Sequence, residues 1–191
     1  LLSHPDRGGD RAEALEWLHE AAGRGNASAM VQLGFASREA QGVDLDYKAA
    51  VEWFIQAHEA GDLHAAMHVG RTFASYMDQV SDALPWLLRA AKQSNRDSYI
   101  YLAMIHDERG SDHYEPAEAV KWYQTVVAKN GMSSPRALLA LARHYRDGDG
   151  VPRSKEIAKV WLGMLIHVTS ASNEFRREGE DLLHQMESDL I

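Results

Sequence analysis

Apolar residues along this chain recur every three to four positions, the period of an amphipathic helix, and no stretch alternates long enough to suggest a strand. The pattern has fixed landmarks. Tryptophan stands at Trp17, Trp53, Trp86, Trp122 and Trp161, at intervals of 36, 33, 36 and 39 residues. Three residues before each comes alanine: Ala14, Ala50, Ala83, Ala119 and Ala158. One residue after comes a large apolar side chain: Leu18, Phe54, Leu87, Tyr123 and Leu162. Four after come Ala21, Ala57, Ala90, Val126 and Leu165. These positions share one stripe of a helix, so the sequence predicts five copies of one element, helix B. Aligned in this way, the tryptophans are expected to occupy equivalent core positions rather than to form a ligand cage.

A second phase precedes four of the copies. Leu33-Gly34, Val69-Gly70, Leu102-Ala103 and Leu141-Ala142 pair a large residue with a small one, and Ala29, Ala65, Ser98 and Ala137 stand four residues earlier. Small residues at a fixed phase let two helices approach closely, so each unit reads as helix A, loop, helix B. The punctuation agrees. Asp46, Ser81, Glu115 and Ser154 stand as N-caps of helix B, Pro116 and Pro135 fit first helical positions, and Gly61 and Gly131 fit helix stops. Asp10 lies seven residues before Trp17, as Asp46 and Ser154 lie seven before theirs. Residues 7–10 are therefore placed in a loop, with Asp10 and Glu13 as a cap-like pair.

The expected organisation is a single array. Residues 1–26 form a partial repeat with helix B only, exposing an apolar face. Full repeats follow at 27–62, 63–95 (with a shorter loop), 96–131 and 132–170. Residues 171–191 form an amphipathic capping helix with Phe175, Leu182, Leu183, Met186 and Leu190 on one stripe. Residues 157–168 are apolar nearly all round and are expected to be buried between their own helix A and the cap.

The fourth unit, with Ala137, Leu141, Tyr145, Gly148, Gly150, Val151, Ala158 and Trp161, resembles the Sel-like repeat (SLR), a branch of the tetratricopeptide-like solenoids. The first full unit fits as well, through Ala29, Leu33, Gly34, Gly42, Val43, Asp46, Ala50, Trp53, Ala57 and Gly61. The third lacks the Gly-Val loop, and the second has a loop three residues shorter. The fold class is thus all-α, and the resemblance, over residues 10–168, implies a right-handed α/α superhelical solenoid closed by the capping helix.

Composition narrows the function. The net charge of −8 disfavours a general nucleic-acid binder or an anionic membrane surface, and the absence of cysteine excludes disulfides, thiolate metal sites and a cysteine nucleophile. No apolar run approaches the ~20 residues that insertion in a membrane needs. Phosphate-loop, dinucleotide, zinc-protease and nucleophile-elbow motifs are missing, so an enzyme is not expected, nor is a cofactor. "RDGDGV" (146–151) fails as a calcium loop: counted from Asp147, Val151, Pro152 and Ala158 occupy the fifth, sixth and twelfth positions, where a ligand, glycine and glutamate belong. His64 and His68, at i and i+4, have metal-ligand spacing but lack a third ligand. His4-Pro5-Asp6 matches the Hsp70-stimulating loop of a J-domain cochaperone, yet the following helix carries the Ala/Trp repeat phase instead of a J-domain's basic-aromatic pattern.

What remains is binding. On helix A, the positions one before and two and three after the large apolar residue share a face. They read Gln32, Phe35, Ala36; His68, Arg71, Thr72; Tyr101, Met104, Ile105; and Ala140, Arg143, His144. In tetratricopeptide-like solenoids this row lines the concave surface, and its aromatic and arginine members are frequent interface anchors. The expected function is a non-enzymatic module holding a partner protein or peptide there, through Gln32, Phe35, His68, Arg71, Tyr101, Met104, Arg143 and His144, with a monomer favoured. The resemblance also implies bacterial contexts: a scaffold or adaptor, an immunity protein occluding a secreted toxin, and export to the periplasm or beyond in preference to the cytoplasm.

Overall fold

A computed structural model describes residues 7–130, 134–168 and 172–188; the His4-Pro5-Asp6 motif, Gly131 and Leu190 lie outside them. The described residues form ten helices and no strand: α1 (Arg7–Gly23), α2 (Ala27–Glu39), α3 (Tyr47–Glu59), α4 (Ala65–Tyr76), α5 (Val80–Lys92), α6 (Arg96–Asp107), α7 (Pro116–Asn130), α8 (Pro135–Asp147), α9 (Lys155–His167) and α10 (Asn173–Ser188). None is long and apolar enough to cross a membrane. The chain divides into two compact units, Leu1–Asn95 and Arg96–Ile191. In the first, α2 packs on α3 and α4 on α5, with α1 against α2 and α3 against α4. In the second, α6 packs on α7 and α8 on α9, while α10 lies on α9 and reaches α8.

The A–B pairing is an all-α core built on steric fit. Ala50, Ala83, Ala119 and Ala158 are fully buried, as are Phe54, Leu87 and Leu162, the large residues that follow three of the tryptophans. The small members of the A-helix pairs receive them. A Cβ on Gly34 would come within 2.5 Å of the Phe54 ring, and one on Gly70 within 2.6 Å of Leu87 Cγ. Glycine is required at both positions because only its absent side chain lets helix B seat this deeply.

One hydrogen bond sets the A–B turn in every repeat. The residue at the N-cap of helix B donates its N–H to the carbonyl four residues after the large apolar residue of helix A: Asp46 to Ser37, Gln79 to Phe73, Glu115 to His106 and Ser154 to Tyr145, all at 2.8–3.0 Å. Each donor lies seven residues before its tryptophan. The cap in the second repeat is therefore Gln79, not Ser81, and it makes no side-chain cap bond. Asp46 caps as expected, accepting from Lys48 and Ala49 N–H at 2.9 Å, and Ser154 accepts from Ile157 N–H. The second loop keeps the turn with three fewer residues by putting Asp78, a non-glycine, at φ +54°.

Three further sequence expectations differ from the fold. Residues 7–10 are helical, the first turn of α1, and not a loop. The loop slots of the first and fourth full repeats are held open by the turn bond to their own helix A and by glycines at positive φ, Gly42 in one and Gly148 and Gly150 in the other. Secondly, the tryptophans plate the rim of the core rather than fill it. Trp53, Trp86, Trp122 and Trp161 are half-buried. Trp53 meets His19 of α1 edge-on and Trp86 meets His58 of α3, so these two tryptophans bridge to the preceding helix B. Trp17 is 63% exposed. Thirdly, Ile157 and Val160 are exposed, so α9 keeps an apolar stripe outside the contact of α8 and α10.

Candidate functional site

The helix-A faces carry the polar chemistry, and each unit is distinct. In the first, Phe35 of α2 is half-buried and Gln32 exposed, while His68 and Arg71 of α4 are both half-buried. The His68 ring sits edge-on to Phe35 at 4.8 Å between centroids and tilted against Phe54 at 5.2 Å. A residue the sequence reading missed lies among them. Arg38 is 4% exposed, and its guanidinium carbon is 5.0 Å from the Phe35 centroid, 5.6 Å from Phe54 and 5.3 Å from Tyr76. Tyr76 also accepts a long bond from Arg71 Nη2, 3.4 Å. The signal was available: Arg38 lies four residues after Gly34, on the core stripe of α2, where a cation is out of place.

Hydrogen bonding here is incomplete. Arg38 donates from Nη2 to Glu39 at 2.9 Å, but Arg38 Nε and Nη1, Arg71 Nε and His68 Nδ1 are buried with no partner among the described residues. Burial, then the charge of Arg38, push the His68 pKa down to about 4, with Arg71 and His64 adding and Asp62 opposing. The ring is therefore neutral at physiological pH. His64, exposed at the start of α4, turns Nδ1 toward Asn95 at 3.3 Å. Among the described residues no group of three histidines or acids is arranged to hold a metal, and the His64/His68 pair gains no third ligand.

The second unit opens a cleft of about 1010 Å³ floored by α8 and walled by α10. Arg136, Leu139 and Arg143 come from the floor, and Glu174, Phe175 and Glu178 from the wall. Arg143, exposed as expected, reaches across to Glu178. Arg136 contacts the sulfur of Met104, which is exposed on α6, and Tyr101 is half-buried. Asp149 accepts from the Tyr114 hydroxyl at 2.5 Å and from Arg109 at 2.9 Å, so the carboxylate of the rejected calcium loop ties the α8–α9 loop to the one before α7. The Asp149 hydrogen bond, aided by burial, raises the Tyr114 pKa.

His144 departs from its expected place on the open face. It is 4% exposed, as the other residues at this register, Ala36, Thr72 and Ile105, are buried. The core stripe of helix A is one position wider than the sequence phase implied. His144 Nε2 lies 3.0 Å from Asp107 Oδ1 and Nδ1 lies 2.9 Å from the Asp149 carbonyl oxygen. Both partners are acceptors, so both ring nitrogens must carry protons, which is the imidazolium form. Burial alone pushes the pKa down, but the bonds to Asp107 and to the Asp149 carbonyl outweigh it and the pKa is raised. Asp107 also accepts from the Tyr123 hydroxyl at 2.9 Å; burial and this carboxylate push the tyrosine pKa far up.

Comparison with known proteins fits this architecture. The Sel1 repeat profile matches residues 6–26, 27–62, 97–125 and 135–164, together over half of the chain. It leaves out the second full repeat, the one with the shortened loop. A crystal structure of a Sel1 repeat protein from Oxalobacter formigenes is 26% identical, with a TM-score of 0.58 over 80% of this chain and 61% of that one. This chain thus spans about three fifths of that protein's length. A crystal structure of MamA, 17% identical, superposes with a TM-score of 0.62 over 94% of this chain and 99% of that one, which shows a shared fold. An immunity protein from Pseudomonas aeruginosa, PA5088, is 13% identical with a TM-score of 0.39 over 99% of this chain and 85% of that one. No curated protein sequence matches. The matched repeats, the A–B helix pairs and the absence of strands among the described residues agree: this chain belongs to the Sel1 repeat family, an all-α helical-repeat solenoid fold whose members generally serve as non-catalytic scaffolds for protein–protein interaction.

Proposed function

We propose that this chain is a binding module that holds a partner protein or peptide on its helix-A faces, and that the cleft of the second unit is a principal seat. The observation that carries this reading is the cleft itself. Its floor offers Arg136 and Arg143 beside Leu139, and its wall offers Glu174 and Glu178 beside Phe175. Opposed charges flanking apolar side chains suit a polypeptide, whose own mixed groups such a surface can pair. The volume of about 1010 Å³ admits several residues of an extended segment. The bridge from Arg143 to Glu178 is solvent-exposed, so a ligand can displace it at little cost. The test is affinity capture from the native organism with wild-type protein and with an Arg136→Glu/Arg143→Glu variant, whose fold is checked by circular dichroism. A partner retained by wild type and lost from the folded variant supports the reading. Retention of every captured partner by the variant overrules the cleft.

A further inference from the structure

The first unit holds a second feature that repeat packing does not explain. Arg38 is 4% exposed, whereas Ala74, Asp107 and Arg146 at the same register of the other repeats are only half-buried, and three rings crowd its guanidinium. Four nitrogens in the cluster are buried and unpartnered among the described residues: two on Arg38, one on Arg71 and one on His68. Native interiors leave only a few such groups unpaired, and four of them in one cluster need an explanation. These four share neighbours. Arg38 and His68 both contact Phe35 and Phe54, and Arg38 and Arg71 both contact Tyr76. Both guanidinium groups border the Tyr76 ring, and the carboxylate bonded to Arg38, that of Glu39, is itself 44% exposed.

Resting on the protein-binding reading, we propose that Arg38, Arg71 and His68 form a receptor for a carboxylate group of the partner polypeptide. Arginine donors match a carboxylate in charge and planarity. The faces of Phe35, Phe54 and Tyr76 add apolar contact for the hydrocarbon stem that carries such a group, which inorganic phosphate lacks. His68 and Arg71 are half-buried and supply the approach from solvent, while Arg38, almost fully enclosed, supplies charge in a poorly screened setting. Burial is the main cause of the low His68 pKa, and a bound carboxylate would offset the charges of Arg38 and Arg71 that add to it. The charged or titratable groups acting on His68 are Arg38 from α2, Asp62 and His64 ahead of α4, and Arg71 on α4 itself.

The experiment follows the His68 ring by NMR through a pH titration of the whole chain. The probes are sodium acetate, sodium phosphate, an acetylated tripeptide amide with a central glutamate, and the same peptide with glutamine and a free C-terminus, against sodium chloride at equal ionic strength. The expected result is a saturable rise of the His68 midpoint, from about 4, by about one pH unit or more with acetate and with at least one peptide. The peptide that responds identifies a side-chain or a C-terminal carboxylate. Arg71→Gln should abolish the response; Arg38→Gln should do the same and is read only if circular dichroism shows the folded chain. No rise above chloride with either peptide overturns the proposal, as does a rise with phosphate alone. Because no partner is used, failure here leaves the capture experiment on the second-unit cleft standing, and success does not depend on it.

Discussion

His144 gives the sharpest test of how the second unit is held together. Its ring is clamped between the carboxylate of Asp107, the last residue of α6, and the backbone carbonyl of Asp149 in the loop after α8. Replacing it with leucine removes both bonds and leaves a side chain of similar bulk. A hydrogen bond to a charged group contributes about 1.5–3 kcal/mol and a neutral one about 0.5–1.5 kcal/mol. Asp107 is 29% exposed at its side chain, so water recovers part of its loss, and the leucine gains apolar burial. The net cost in acid is therefore about 2–3 kcal/mol. The pH dependence has a definite sign. The folded pKa is raised above the unfolded value near 6.5, so the contribution is complete below 6.5 and fades as pH rises through the folded value. The gap between wild type and His144→Leu is thus widest near pH 5.5 and narrowest near pH 9. Hydrogen exchange of the α8 amides, corrected for intrinsic rates, measures it locally and avoids treating two units as one transition. Equal gaps at the two pH values, or a wider one in alkali, refute the imidazolium assignment.

Other outcomes follow from the packing. Phe54→Ala empties a fully buried site between α2 and α3 and should cost about 3–5 kcal/mol, whereas Trp17→Ala, at a position 63% exposed, should stay within about 0.5 kcal/mol; urea denaturation compares them. Gly150→Ala forces a Cβ to 2.3 Å from the Pro116 backbone at φ +73° and should cost about 2–4 kcal/mol, seen as faster hydrogen exchange at the start of α7. Asp46→Ala removes two cap bonds and should lower stability by about 1 kcal/mol, in the same urea series.

The repeat was legible because packing is periodic and the residues that meet the closest constraints are few. Alanine three before Trp53, Trp86, Trp122 and Trp161, and glycine or alanine after each A-helix anchor, are the marks of helices in close contact, and the structure puts them there, while Ala14 at the same phase of α1 is exposed. Where sequence and structure differ, a general residue preference competes with the repeat's own register. Serine is a good N-cap, which favours Ser81; the spacing of seven residues to tryptophan favours Gln79, and the bond to Phe73 follows the spacing. The tryptophans misled in the opposite way, since identical phase was equated with identical burial. Phase fixes a direction around one helix, whereas burial depends on its neighbours: Trp53 has His19 against its ring, and Trp17 is 63% exposed. The polar clusters were the least legible part. Asp107 and His144 are 37 residues apart and Arg38 and Tyr76 are 38 apart, so neither pairing leaves a local pattern. Yet Arg38 and His144 are each 4% exposed, and a charge buried there must find a counterpart or recruit one. In the second unit the counterpart is internal, imidazolium against carboxylate and carbonyl. In the first, two arginines and a neutral histidine border shared rings with four nitrogens unpaired among the described residues, and that imbalance places the ligand at α2 and α4 in the proposal above.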